Sequence, residues 1–153
     1  MASSSKSKQV TLLSCDGESF DVEECVAMEC LTIKHMIEDG CADSSIPVHN
    51  VTGATLSKVI DYCNKHTDPS FTPTELKAFD ADFYKVDQKM LFDIILAANY
   101  LDNKSLLELG CRTVAESVRG LTTREIRKLY RIRNDFTPEE EAKVREENAW
   151  SFD

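Results

Sequence analysis

The alternation of apolar and polar residues near the start of the chain predicts a β-hairpin. Val10 and Leu12 alternate with polar neighbours in one stretch, and Phe20 and Val22 do the same in the next. A period of two places alternate side chains on the same face of a strand. An Asp-Gly dipeptide ending at Gly17 separates the two stretches and readily supplies the positive φ angles of a tight turn.

A helical period follows over residues 23–40. Val26 and Ile33 fall on one side of this predicted helix, and Gly40 is a natural stop. A short apolar run around Pro47 then predicts a brief strand near the edge of the sheet, where a missing backbone N–H is tolerated.

The middle of the chain is predicted to contain two further helical regions separated by a loop. Thr52 is a suitable N-cap for a helix whose apolar stripe includes Leu56. Residues 67–86 are rich in proline and aspartate and are predicted to form a linker loop. The run "QKMLFDIILAANYLD" is apolar nearly all round, which predicts a helix buried in the core. Asn103 is expected to cap the next helix, which ends near Gly120.

The final segment has a clear helix start but few apolar residues. Thr137 and Glu140 predict a capping box, and Pro138 takes the favoured first helical position. Ordering each residue's backbone costs about 1–2 kcal/mol, which so thin an apolar face hardly offsets. Trp150 either folds back onto its own domain or belongs to an incomplete core that another protein completes. The second alternative is the favoured hypothesis.

Composition narrows the class of protein. The chain has 153 residues, 42% of them hydrophobic, which is enough for one domain with a core. Its net charge of −9 argues against general affinity for phosphate backbones. No apolar run reaches the roughly 20 residues that cross a bilayer, and the first residues carry no secretory signal. Six cysteines without a Cys-x-x-Cys pair favour reduced thiols in an intracellular protein.

Candidate chemistry changes this picture little. Cys63 with His66, or His35 near Cys41, would supply part of a zinc site, but a second closely spaced pair is absent. Cys63 fits the apolar stripe of its helix better. The sequence has neither a Gly-x-Ser-x-Gly motif nor a phosphate-binding glycine loop, so catalysis is not expected. The basic run at 119–133 could suggest nucleic acid or an acidic partner surface, but Glu139, Glu140 and Glu141 follow it and would repel phosphate. The two segments are therefore expected to exchange charge with each other or with a protein partner.

Four stretches, taken in order, resemble one family of proteins. They are "SCDGESFDVEE", "IPVHNVTGATLSKVIDYC", "LFDIILAANYLDNKSLLELGCRTVAE" and "IRNDFTPEEEAKVREENAW". They are similar to the S-phase kinase-associated adaptor proteins, the F-box-binding subunits of SCF ubiquitin ligases. The likeness runs from about Gln9 to Trp150. It is most specific in "LAANYL" and "NDFTPEEE", and "HNVT" and "ILAANYL" resemble a plant member.

The resemblance implies an α/β (α+β) architecture and an adaptor function. A BTB/POZ fold with a small three-stranded sheet flanked by helices would span residues 9–118, and a helical F-box-binding extension would span 119–153. Residues 1–8 would be a disordered lead-in. The adaptor would perform no catalysis, need no cofactor or metal, and contact neither nucleic acid nor membrane. It would bridge a cullin scaffold to interchangeable F-box receptors for ubiquitin-dependent degradation in the nucleus and cytoplasm, and weak self-association of the unpartnered chain is left open.

The resemblance also assigns residues to each partner. Asn99 and Tyr100 match the family's cullin-contacting pair, although core packing remains an alternative for Tyr100. The positions that match the F-box surface are Val114, Ala115, Val118, Ile126, Ile132, Phe136, Val144, Asn148 and Trp150. Phe136 precedes the predicted capping box, so a role as a hydrophobic staple for that helix is an alternative.

Several positions depart from the family's usual pattern, most of them in the F-box-binding third. They are Gly110, Leu121, Thr123, Tyr130 and Arg131. Gly110 replaces a common threonine, and Arg131 replaces a common asparagine. These changes leave the choice of F-box protein open. Two other functions remain alternatives: a self-associating BTB-type transcriptional or channel-assembly module, and a nucleic-acid binder using residues 119–133.

Overall fold

A computed structural model describes residues 7–151, which form a small mixed sheet and eight α-helices. The strands are β1 (Gln9–Ser14), β2 (Ser19–Glu23) and β3 (Ile46–Val48). The helices are α1 (Glu24–Ala27), α2 (Leu31–Glu38), α3 (Gly53–Thr67), α4 (Pro73–Phe83), α5 (Gln88–Tyr100), α6 (Lys104–Val118), α7 (Thr123–Tyr130) and α8 (Pro138–Glu147), with 3-10 turns at Cys41–Asp43 and Ala149–Ser151. The predicted α/β class is confirmed.

The chain divides into two compact units, and the division lies between Ala115 and Glu116. This division lies within the last turn of α6, and the predicted domain boundary, after Val118, lies at the end of that helix. Most of the lead-in predicted at residues 1–8 lies outside the described residues. Lys8, however, is held against the fold, because its carbonyl accepts a hydrogen bond from the Glu24 N–H (2.8 Å) and its Nζ lies 2.8 Å from a Glu24 carboxylate oxygen.

The sheet has the strand order β2-β1-β3, so the Pro47 strand lies at an edge as predicted. β1 pairs antiparallel with β2 and parallel with β3, and Leu12 lies opposite both Phe20 and Ile46. The hairpin turn is confirmed, with Gly17 at φ +88°. Asp16 fastens this turn to α3 by accepting hydrogen bonds from the Ser14 hydroxyl and from the Gly53 N–H, and these bonds lower the pKa of Asp16.

The single helix predicted over residues 23–40 is wrong, because the chain breaks into α1 and α2. Cys30 adopts an extended conformation (φ −94°, ψ 110°) and precedes α2 as its N-cap residue. The break lets the first amides of α2 bond across the fold, since the Leu31 N–H donates to the Asp102 carbonyl (3.3 Å) and the Thr32 N–H donates to the Leu101 carbonyl (3.2 Å). Helix termini leave such groups without intrahelical partners, and here the end of α5 and the start of α2 satisfy each other. The predicted stop at Gly40 is confirmed by its φ of +75°.

The prediction that residues 67–86 form a loop is also wrong, because α4 occupies the centre of this segment. A capping box starts α4, in which Thr72 and Glu75 exchange backbone and side-chain hydrogen bonds. Phe83 is buried, and its ring lies 5.4 Å from the ring of Tyr62 on α3. Burial of aromatic rings, which removes much apolar surface from water, therefore secures a segment whose proline and aspartate content resembles a loop.

The core of the first unit lies between the sheet and helices α3, α5 and α6. Its fully buried side chains include Leu56, Ile94 and Leu106. Asn103 caps α6 as predicted, because its side-chain oxygen accepts a hydrogen bond from the Leu106 N–H (3.2 Å). Gly110 permits close packing here, since an added Cβ would lie 2.6 Å from Ile95 Cγ1 and 2.7 Å from the Tyr84 hydroxyl.

Candidate functional site

The first candidate surface is the exposed side of α5, which carries the predicted cullin pair. Asn99 is exposed and Tyr100 is half-buried. Phe92 and Leu96 share the face of Asn99, because residues three and four apart in a helix are neighbours. Leu96 is 65% exposed and Phe92 is 36% exposed. The prediction of a helix buried in the core therefore holds for the side that carries Ile94 and is wrong for this side. The apolar content of α5 exceeds what the core covers, and this excess is the signal that would have identified Phe92 and Leu96.

Hydrogen bonds to α2 hold the end of this surface in place. The Thr32 hydroxyl donates to the Tyr100 carbonyl at 3.1 Å, beside the two backbone bonds that join α2 to the residues following α5. Ala97 and Ala98 are buried on the opposite side of the helix. Asn99 and Leu96 are therefore presented on a well-anchored helix, which limits the backbone entropy lost when a partner binds.

The second unit has no buried interior among the residues that the structure describes. None of residues 116–151 is buried, and α7, α8 and the closing turn each lack a buried residue. Several large apolar side chains are exposed instead, namely Leu121, Leu129, Ile132, Phe136, Val144 and Trp150. Trp150 is 79% exposed, so its side chain is not sealed in a core of its own chain. The unit thus presents an apolar surface that is unusually rich for its size.

Local hydrogen bonds define the helices of this unit where burial does not. The Glu125 N–H donates to the Thr122 hydroxyl (3.3 Å), while the Thr122 N–H donates to the Glu125 carboxylate (2.7 Å). The predicted capping box at Thr137 and Glu140 is confirmed by the same reciprocal pair of bonds, at 3.2 and 2.8 Å. A cap of this kind contributes about 1 kcal/mol, which favours helix formation without a core.

Contacts around Arg127 connect α7 with α8. The guanidinium of Arg127 lies 5.9 Å from the centre of the Phe136 ring and 3.6 Å from the Glu141 carboxylate. Phe136 and Val144 line one small cavity of about 100 Å³. Phe136 is 44% exposed, so it retains apolar surface for a partner in addition to any stapling role.

The predicted F-box residues fall into three groups. Ile132, Phe136, Val144 and Trp150 are exposed on the second unit, and Val118 and Ile126 are half-buried there. Val114 is half-buried and Ala115 is exposed near the end of α6, within the first unit. Asn148 is half-buried, and its amide donates to the Val144 carbonyl at 2.8 Å. That bond closes the last turn of α8, so Asn148 has a structural contact that its sequence position did not indicate.

A larger groove lies beside α7 and brings Leu121 and Ile132 together. It has a volume of about 810 Å³ and is also lined by Arg124, Lys128 and Ser151. Ile132 is 54% exposed there. Leu121, which departs from the family pattern, thus lies beside a residue that the family pattern assigns to the F-box surface.

Two of the groups considered for metal binding, Cys63 and His66, have other partners. The Cys63 thiol accepts a hydrogen bond from Asn103 (3.4 Å), whereas the His66 ring lies 2.7 Å from the Asp80 carboxylate. A hydrogen bond with Cys30, together with burial, raises the pKa of Cys63 well above its ordinary value. Within residues 7–151, no cluster of three or more His, Cys, Asp or Glu side chains is arranged to hold a metal ion. The same residues include no helix with the length and apolarity to cross a membrane.

Comparison with known proteins gives matches along the chain. Residues 8–68 match the Skp1 family tetramerisation domain, and residues 104–151 match the Skp1 family dimerisation domain. SKP1-like protein 1 of Oryza sativa subsp. japonica is 52% identical, with 100% of both chains covered. SKP1-like proteins 1A and 13 of Arabidopsis thaliana are 52% and 55% identical, and the matches cover 95% and 96% of this chain and 98% and 99% of theirs. The chain therefore belongs to the Skp1 family, as a plant-like member.

Proposed function

We propose that this protein is a non-catalytic adaptor of an SCF ubiquitin ligase, which bridges a cullin to interchangeable F-box substrate receptors. Its membership of the Skp1 family supports an adaptor role in general. The observation that carries the proposal is that Trp150, at 79% exposure, and five other large apolar side chains of the second unit are exposed. None of the described residues of that unit is buried. Such a unit gains its missing burial from a partner protein.

The F-box segment is proposed to dock on the second unit and the end of α6. Ile132, Phe136, Val144 and Trp150 would supply the exposed apolar contacts. The family resemblance also assigns five further residues to this interface, namely Val114, Ala115, Val118, Ile126 and Asn148. Association would be driven mainly by apolar burial, because exposed ion pairs contribute only about 0–1 kcal/mol each.

The cullin is proposed to bind the exposed side of α5 on the first unit. Asn99 and Tyr100 carry the family assignment, and Phe92 and Leu96 extend the same face with apolar surface. Two contacts on two units give the chain the property that an adaptor needs, which is simultaneous binding of a scaffold and a receptor.

A binding experiment with purified components tests this division of surfaces. Trp150→Ala should weaken binding to an F-box domain and leave binding to the amino-terminal region of a cullin unchanged. Asn99→Lys/Tyr100→Lys should show the opposite result. Because Tyr100 is half-buried, Leu96→Lys provides a second cullin-surface variant at a position that is 65% exposed. If Leu96→Lys and the double variant both retain full cullin affinity while they remain folded, α5 does not bind cullin.

Two further expectations belong to this proposal. The adaptor should occur in the nucleus and cytoplasm, and a fluorescent fusion confined to a membrane compartment would contradict this. The exposed apolar surface of the second unit also favours weak self-association in the absence of an F-box protein. Sedimentation should then show concentration-dependent association that an F-box domain suppresses, whereas association that persists in the complex would favour a self-assembling BTB-type module.

A further inference from the structure

Positive charge in the second unit is concentrated in one short segment. Residues 119–133 contain six basic residues and one acidic residue, in a chain whose net charge is −9. The basic residues are Arg119, Arg124, Arg127, Lys128, Arg131 and Arg133. The single acidic residue, Glu125, is engaged by the capping box with Thr122. The segment is therefore a local cationic surface on an acidic protein.

Within residues 7–151, most of this charge is not neutralised by a neighbouring side chain. Arg119 pairs with Glu116 at 2.8 Å, and Arg127 pairs with Glu141 at 3.6 Å. Among the residues that the structure describes, the side chains of Arg124, Lys128, Arg131 and Arg133 form neither an ion pair nor a hydrogen bond. These four cations remain available to a partner.

The available cations lie beside exposed apolar side chains. Arg124 and Lys128 line the groove of about 810 Å³ together with Leu121 and Ile132. Glu141 is the acidic residue of that lining, and it already faces Arg127. The groove thus offers both apolar area and unpaired positive charge, a combination that suits an amphipathic segment with carboxylates beside its apolar face.

The backbone at Arg131 provides an independent observation. Arg131 ends α7 in the left-handed conformation (φ +54°, ψ +40°), which glycine and asparagine adopt far more readily than arginine. The Ile132 N–H then donates to the Arg127 carbonyl at 2.8 Å, which fixes the turn that exposes Ile132. Residues in sparsely populated backbone conformations cluster at functional sites. Arg131 stands where the family commonly has asparagine, so this turn carries a cation next to the exposed side chain of Ile132.

We infer that the F-box segment that docks on this unit is acidic, and that its carboxylates face Arg124, Lys128 and Arg131 while its apolar side chains cover Leu121 and Ile132. This inference rests on the proposed function. The cationic surface selects among F-box receptors and accelerates their association, because complementary charge steers encounter more than it holds a complex. Receptors with a neutral or basic segment at this place bind more slowly.

Association kinetics test the inference with the full chain and one recombinant F-box domain. Two forms of that domain are compared, the native one and one in which the surface Asp and Glu residues are replaced by Asn and Gln. The chain variant is Arg124→Gln/Lys128→Gln/Arg131→Gln. The matched control removes three exposed lysines of the first unit, as Lys77→Gln/Lys85→Gln/Lys104→Gln. Rates are measured between about 50 and 300 mM NaCl, over which screening of exposed charges increases strongly.

The triple variant should associate with the native F-box domain at least about 10-fold more slowly at low salt, and its rate should depend little on salt. The control should match the wild type. The neutralised F-box domain should bind the wild type and the triple variant equally. Equal rates and equal salt dependence for the wild type and the triple variant with the native domain would overturn the inference.

Trp150→Ala distinguishes this failure from failure of the proposed function. If Trp150→Ala abolishes F-box binding while the charge variant has no effect, the docking proposal stands and the acidic preference is wrong. If neither variant affects binding, both are wrong. If the triple variant loses only binding to a short DNA duplex that the wild type binds, the segment is a nucleic-acid surface and the inference is overturned.

Discussion

Replacing Trp150 with alanine should separate binding energy from folding energy. The side chain is 79% exposed in the unpartnered chain. A buried tryptophan removes about 150–250 Å² from water, so a partner that covered the rest of this indole would remove about 120–200 Å². At about 25 cal/mol/Å², that area corresponds to an upper bound of ~3–5 kcal/mol of binding free energy. The fifth of the side chain that is already covered corresponds to about 1 kcal/mol of folding free energy at most.

Isothermal titration calorimetry with an F-box domain measures the first quantity, and chemical denaturation of the free chain measures the second. Trp150→Ala should weaken binding by at least about 2 kcal/mol, or roughly 30-fold in Kd. The free energy of unfolding should fall by about 1 kcal/mol or less. Leu96→Ala is the matched control, because Leu96 is also a large apolar residue with 65% of its surface exposed, but it lies on the first unit. It should leave the F-box affinity unchanged.

Two results would refute this reasoning. A loss of binding below about half a kcal/mol would show that Trp150 is not part of the F-box interface, because a covered indole of this exposure is worth several times more. A loss of unfolding free energy comparable with the loss of binding would show that Trp150 stabilises its own chain. Hydrogen exchange provides a second measurement, since the amides of α8 should become protected only when an F-box domain is bound.

Three further predictions concern stability and pH. Gly110→Thr should lower the unfolding free energy by about 1–3 kcal/mol, because its Cβ would lie 2.6 Å from Ile95 Cγ1 and 2.7 Å from the Tyr84 hydroxyl. Chemical denaturation measures the loss, which should be smaller in a Tyr84→Phe background. An unchanged unfolding free energy for Gly110→Thr would contradict the close packing. Arg131→Gly should stabilise the second unit of the unpartnered chain by about 0.5–1 kcal/mol, because glycine adopts φ +54° without steric cost. Arg131→Val should destabilise it. Hydrogen exchange at the amides of α7 measures both changes. The Thr122 backbone N–H and hydroxyl hold the pKa of Glu125 below its usual range, so this capping interaction should stabilise α7 above about pH 4.5 and weaken as the pH falls through the lowered pKa. Thr122→Ala keeps the backbone N–H bond and removes the hydroxyl bond, so NMR titration should show a pKa of Glu125 that rises only part of the way to its usual value. An unchanged pKa would contradict the contribution of the hydroxyl.

Local sequence patterns predicted those features that depend on nearby residues. The Asp-Gly turn at Gly17, the cap at Asn103 and the start of α8 at Thr137 each arise from hydrogen bonds or backbone angles within a few residues. The deficit of apolar residues around Trp150 was also evident from the sequence, because it depends on composition rather than on packing. These features required no knowledge of which elements meet.

Packing between distant elements decided the features that sequence analysis missed. Residues around Phe83 resembled a loop, yet aromatic contacts with α3 secure a helix there. The break before α2 at Cys30 depends on hydrogen bonds to the residues that follow α5, which lie about 70 residues later in the chain.

The exposure of Leu96 is the clearest example of a feature that packing between distant elements decides. The sequence by itself determined that α5 is apolar on nearly every side and that the tail around Trp150 is poor in apolar residues. Only the tertiary structure decided which apolar sides are covered, leaving Leu96 and Trp150 exposed. The physical reason is that periodicity reports the chemistry of a helix face, whereas burial depends on whether another element of the fold lies against it.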